Sequence, residues 1–191
     1  MTKKLEKFNG DNGHITIAGF KNVKIKDIKG FLEDVRGEVR EAHVQFFDAK
    51  LIAGQQHLYF AALNALKAFK RKSNISSSLA IEAILYASAQ RQISKAVNLL
   101  GVKKDSSKVA VLVIAENRQN IDDCLEVVSS LVPGERDDTV LELTDDKIGG
   151  VKRLFDISDL EIEAKLRRKG LEKEALIDLV IEHVALLATQ S

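Results

Sequence analysis

Four histidines, one cysteine and three acidic doublets are the residues of this chain whose types could carry acid–base, nucleophilic or metal chemistry. His14, His43, His57 and His183 are scattered, with no pair at metal-ligand spacing, and each reads more simply as a packed or hydrogen-bonded side chain. Cys124 shares a predicted helical face with Ile121, Leu125 and Val128, and nothing near it in sequence would lower its pKa. It is expected to be a buried, inert thiol. Asp122-Asp123, Asp137-Asp138 and Asp145-Asp146 could hold a divalent ion, but the first and last fall in the opening turns of predicted helices, where the helix dipole favours acids without any ligand. No G-x-x-x-x-G-K-[ST] phosphate loop and no G-x-G-x-x-G turn occurs, and Gly149-Gly150 is only a pair inside a helical stretch. These residues predict a protein that is not an enzyme and needs no metal and no cofactor. A site assembled from residues distant in sequence stays open.

Anion recognition is the chemistry better represented. Between Lys50 and Lys104 stand nine bases and one acid, Glu82, a net charge of +8 within a chain whose total is +1. Residues 1–49 carry +1 and residues 105–191 carry −8. Such asymmetry points to an anionic partner for the middle of the chain, unless folding interleaves the segments. On a helix over Gln90–Leu100, Ile93, Ala96, Val97 and Leu100 make an apolar face, and Arg91, Lys95 and Asn98 a polar stripe. Arg91 would lie in the first turn, where a cation opposes the dipole and invites a compensating anion. Lys70, Arg71 and Lys72 close a predicted helix; they suit phosphate, and equally suit the carbonyls of a helix C-terminus. Ser76, with Ser77 and Ser78, precedes another helix whose free amides could bind phosphate. Phe60 and Phe69 read as core; Tyr59 and Tyr86 are amphipathic, and whether they pack or stack on bases stays open.

The elements that must position these residues alternate. Strands are expected at His14–Ala18, entered by a turn over 10–13, at Ala42–Asp48, at the wholly apolar Val109–Ala115 and at Thr139–Leu143. Val109–Ala115 should be central and buried on both faces. Helices are expected at Asp27–Val39, Gln55–Lys72, Leu79–Ala87, Gln90–Leu100, Asn117–Leu131, Ile148–Ile157, Asp159–Lys169 and Glu172–Thr189. This order predicts an α/β (α+β) fold, one domain over 1–191 with a small mixed β-sheet packed by several helices. One cysteine, no apolar leader and no run of the ~20 apolar residues that span a bilayer predict a soluble, cytoplasmic protein with no membrane partner.

Read in order, Asp48-Ala49, Ile52-Ala53-Gly54-Gln55-Gln56-His57-Leu58, Asn74-Ile75-Ser76-Ser77-Ser78-Leu79, Glu82, Tyr86-Ala87-Ser88-Ala89-Gln90-Arg91-Gln92-Ile93, Ala96 and Gly101-Val102 resemble the Cgi-type subunit of the KEOPS complex, the PRPK-binding protein family, in an archaeal-like version. The resemblance covers roughly residues 42–102, and Ser-x-Gln-Arg-Gln-Ile is its most specific part. Ala89 stands where the family pattern has Gly, and the segment Phe20–Arg40 is long for it. What the resemblance implies is a non-catalytic accessory role in making threonylcarbamoyladenosine in tRNA. Its partners would be the kinase-like ATPase subunit of KEOPS and the CCA end of tRNA. Lys50, Asn74, Ser76, Arg91 and Lys95 are the residues expected to meet RNA, with Lys70, Arg71 and Lys72 as further phosphate contacts. For the kinase, the apolar side of the closing helix and the helix Leu79–Ala87 are both candidates. The competing reading is a small RNA-processing or nucleotide-using enzyme whose site lies across the acidic half.

Overall fold

A computed structural model describes residues 13–166 and 168–189, so all but Gly13 of the turn expected over 10–13 lies outside the described residues. The chain divides into two compact units, Met1–Ala49 with Val102–Val140 and Lys50–Gly101 with Leu141–Ser191. Each unit is assembled from two separate stretches of sequence.

The first unit holds the sheet. Strands β1 (His14–Lys21), β2 (Ala42–Asp48), β3 (Val109–Ala115) and the two-residue β4 (Glu135–Arg136) lie in the order β2-β3-β1-β4, every neighbour antiparallel. The sheet is therefore antiparallel rather than mixed. Strand β3 inserts between β1 and β2 and runs against both, so β1 and β2, which share a direction, never become neighbours. All seven residues of β3 are buried, as its unbroken apolar run requires. Helices α1 (Ile28–Glu38) and α5 (Arg118–Leu131) cover one side, with Ala18, Phe20, Phe46, Val111, Val113, Ile121 and Val128 in the core between. Phe31 of α1 meets Phe46 edge-on at 5.1 Å. Asp27 and Asn117 cap the two helices with their side chains, from Lys29 N–H and Asn120 N–H.

The strand expected at Thr139–Leu143 is absent. The Asp137 carboxylate accepts hydrogen bonds from the Thr139 amide and hydroxyl, and the Val140 amide turns back to the Asp137 carbonyl. The side chain thus competes with the ladder and folds this stretch into a 3-10 turn over Asp138–Leu141. Pairing with β1 shifts to Glu135–Arg136, where Gly19 leaves the room: a Cβ there would lie 2.5 Å from the Asp137 carbonyl oxygen.

The second unit is helical: α2 (Gln55–Arg71), α3 (Leu79–Ala87), α4 (Ile93–Leu100), α6 (Asp145–Phe155), α7 (Asp159–Lys165) and α8 (Glu172–Leu186). Helix α2 packs against α3 and α8. Ala175, Leu176, Leu179, Val180, Val184 and Leu187 of the closing segment are buried, which favours the packing role for its apolar side; Leu186 stays exposed. Helix α3 buries seven of its nine residues, so little of it is left for a partner. No helix among the described residues is long and apolar enough to cross a membrane.

Candidate nucleic-acid interface

The basic segment is built on α2, α3 and α4 and the turns that join them. Helix α2 ends with Lys72 in the left-handed region (φ 56°), and the Ser73 and Lys72 amides take the carbonyls of Ala68 and Phe69. These carbonyls are capped by backbone, so the cationic tip of α2 is not needed for that purpose. Lys70, Arg71 and Lys72 all have exposed side chains.

The turn that follows is held by one buried acid. Glu82, 0% exposed, accepts hydrogen bonds from the Ile75 amide (3.0 Å) and the Ser76 amide (2.8 Å). Asn74 donates its side-chain amide to the Ser76 carbonyl, and the Ser76 hydroxyl accepts from the Ser78 amide. Ser78 caps α3 through the Ile81 amide. The Glu82 carboxylate thus occupies two amides of the turn before α3, and within the first turn of the helix Ser78 takes the Ile81 amide. Ser76 is buried, and its polar groups shape the turn. Asn74 remains half-buried at the rim.

Helix α3 ends in a tight reversal. The Gln90 amide bonds the Leu85 carbonyl and the Ala89 amide bonds that of Tyr86, with Ala89 left-handed at φ 49°. This is a Schellman motif with Ala at the position that glycine favours. Ser88 reinforces it by donating its hydroxyl to the Ile84 carbonyl. His57, fully buried on α2, donates Nε2–H to the Ala87 carbonyl (2.7 Å) and accepts the Ala53 amide on Nδ1 (3.2 Å). Burial pushes its pKa down to about 4, which outweighs the bond to Ala87 and keeps the ring neutral.

Because the reversal consumes Gln90, α4 begins at Ile93, three residues later than the pattern predicts. Arg91 thus lies in an exposed turn before the helix, and the argument from an opposed dipole does not apply to it. The stripe on α4 itself is Lys95 and Asn98, both exposed. Its expected apolar face also splits: Ala96 and Leu100 are buried, while Ile93 (43%) and Val97 (40%) are exposed. Gly101 ends the helix for room rather than handedness, since a Cβ would meet the Val97 carbonyl at 2.5 Å.

Tyr86 is where these pieces converge. Burial raises its phenol pKa, the Glu82 charge adds to that, and the charges of Arg91 and Arg71 oppose it. The charges of the α2 tip and of the turn before α4 are thus both felt at Tyr86. Lys50 is exposed at the far end of α2, about 25 Å of helix away from Arg71, and is not part of this cluster. Phe60 is exposed, against the core role expected of it; Tyr86, which the sequence left open, is buried, and Phe69 is half-buried.

The consequence for charge is sharp. Lys50, Lys67, Lys70, Arg71, Lys72, Arg91 and Lys95 are all exposed, and the lone acid of residues 50–101 is inside. Glu82 was visible as that single acid, and an isolated acid in a basic stretch is the signal that could have identified it as structural.

The other candidate chemistry is occupied structurally. Asp137 pairs with Lys21 at 3.1 Å, Asp138 with Arg136, Asp122 with Arg118 and Asp145 with Lys173. Hydrogen bonds from Thr139 and then Lys21 pull the Asp137 pKa down to about 2. Among the described residues no group of three His, Cys, Asp or Glu side chains could hold a metal. Cys124 is buried and its thiol pKa is pushed up to about 11, the inert thiol expected of it.

A family model described as kinase binding protein CGI-121 matches residues 20–188 of this chain. The regulatory protein Cgi121 of Methanocaldococcus jannaschii is 32% identical over 135 residues, which cover 71% of this chain and 83% of that protein.

Proposed function

The chain belongs to the CGI-121 family of kinase-binding proteins, and from that premise we propose that it is a non-catalytic accessory subunit of the KEOPS complex, which makes threonylcarbamoyladenosine in tRNA. It binds the kinase-like ATPase subunit and recruits tRNA through the single-stranded CCA end. The observation that carries the RNA half of this reading is the surface of residues 50–101, seven exposed bases with no exposed acid among them. Phosphate neutralisation by such a surface supplies affinity without sequence information. Arg71 and Arg91, exposed at the tip of α2 and in the turn before α4, are the centre of the site. Lys70, Lys72 and Lys95 add charge, Asn74 offers a rim contact, and Lys50 acts at a distance. Ser76 and Glu82 are positioning residues.

For the kinase, the exposed apolar surface of α7 and α8 is the better candidate, since α3 is buried. Helices α7 and α8 pack against each other. Leu160 of α7 (77% exposed) and Leu186 of α8 (52%) are the exposed large apolar side chains of these two helices. The enzyme reading across the acidic half has no observation in its favour.

Gel-shift titration with intact tRNA and with tRNA lacking its CCA end tests the RNA half. Loss of affinity on removal of CCA is expected; equal affinity for both would sink it. Arg91→Glu should weaken binding at least tenfold at unchanged thermal stability, and Arg118→Glu, on the other unit, should weaken it far less. The kinase half is tested by co-purification, which Leu160→Glu with Leu186→Glu should abolish. Hydrolysis of ATP by the purified chain alone would overturn the non-catalytic role.

A further inference from the structure

The proposed site draws only on residues 50–101, and the unit that carries the sheet holds a second concentration of positive charge. Residues 22–26 run as a strap in which Val23 and Ile25 are buried and Lys24 and Lys26 are exposed. Alternation of this kind aims both lysines outward. The strap is fixed by backbone bonds, from the Val23 amide to the Ser107 carbonyl (3.0 Å) and from the Lys24 amide to the Pro133 carbonyl (3.1 Å). The first of these sets it beside the turn over 103–107, where Lys103 and Lys104 are also exposed.

That turn is locked from inside. The Ser106 amide donates to the Lys103 carbonyl (3.0 Å), the Lys103 amide to the Ser106 hydroxyl oxygen (2.9 Å), and that hydroxyl in turn to the buried Asp48 carboxylate (2.8 Å). Four exposed cations thus stand on two backbone segments that the Val23–Ser107 bond joins. Among the described residues Lys24, Lys26, Lys103 and Lys104 make no ion pair, whereas Lys21, Lys29, Arg118 and Arg136 of the same unit each do. Asp105 is the one acid on the turn.

We propose that Lys24, Lys26, Lys103 and Lys104 form a second RNA-binding surface, which takes the phosphate backbone of folded or duplex RNA. The proposal rests on the tRNA-recruiting role given above and extends it from the 3′ end to the body of the molecule. Lysine ammonium groups are point charges that suit phosphate oxygens, not the fixed forks that read base edges. Among the described residues of this unit no phenylalanine is placed to stack on bases: Phe20, Phe46 and Phe47 are buried, and Phe31 packs on Phe46. The surface therefore recognises charge spacing along a backbone and tolerates any sequence.

Fluorescence anisotropy across a salt series tests this with two probes, a full-length tRNA transcript and a short single-stranded oligonucleotide ending in CCA. The variant is Lys24→Ala with Lys26→Ala, Lys103→Ala and Lys104→Ala in the full chain. Expected for the variant is at least a tenfold loss of tRNA affinity, with the slope of log K against log salt shallower by about 2–4. Oligonucleotide affinity should stay within twofold, while Arg91→Glu should lose both probes. Unchanged tRNA affinity and slope would overturn the second surface and leave the proposed function standing. Equal losses on both probes would overturn it too, since that is the signature of a general field. If the wild-type chain binds neither probe, the tRNA-recruiting role itself fails. Should the fourfold variant melt early, Lys24→Gln with Lys104→Gln gives the same decision at a slope change of about 2.

Discussion

At the scale of single residues, two side chains hold the turn that presents Arg91, and each makes a prediction. Ala89 adopts φ 49°, a conformation that costs a Cβ-bearing residue on the order of 1 kcal/mol. Ala89→Gly should therefore raise the urea midpoint at constant slope, by about 1 kcal/mol of stability, with RNA binding unchanged. His57 has a folded pKa of about 4 against an ordinary value of 6.5. Its folded value is depressed, so its contribution is complete above pH 6.5 and is lost as the pH falls toward 4. The loss amounts to roughly 3 kcal/mol across that window. Urea titrations between pH 7 and 4 should show it, and His57→Gln should flatten the slope. Asp137 titrates lower, between its ordinary value and about 2, so the two groups are separable. Cys124 was legible in the sequence because an apolar helical face already implies burial. Ser76 was not, because its fate depends on which side chain reaches its amide, and Glu82 arrives from the next helix.

At the scale of elements, positions were legible wherever one hydrophobic period ran uninterrupted. Ala42–Asp48, Leu79–Ala87 and Val109–Ala115 fall where the pattern puts them. Errors gathered where side chains or turns compete for the backbone. Helix α4 starts late because the reversal after α3 takes the Gln90 amide, and Thr139–Leu143 fails as a strand because Asp137 captures Thr139. The turn over 73–78 depends most on a single side chain. Glu82→Ala leaves the Ile75 and Ser76 amides without their buried acceptor, at a cost of about 3 kcal/mol. Glu82→Gln, which keeps one acceptor oxygen, should cost less, by denaturant titration of both variants. RNA binding at a temperature where each is folded should still fall, since the turn no longer sets the approach of Arg71.

For the molecule as a whole, folding regroups the charges that the sequence keeps in separate segments. Lys103 and Lys104, counted with the basic middle, belong to the unit of the sheet; the other seven bases stay with α2, α3 and α4. No composition shift marks the two units, because each is completed only by a later return of the chain. That return governs the order of events at the ribosome. Strands β1 and β2 emerge early, yet the strand that pairs with both begins at Val109, and α2 must wait for α8, which begins at Glu172. A nascent chain arrested at residue 108 carries two unpaired strand edges and three helices without their closing partner. It should be digested rapidly by protease, and one arrested beyond residue 140 should protect the sheet alone. For such a chain the synthesis of α8, from Glu172 to Leu186, decides when the helical half becomes a surface at all.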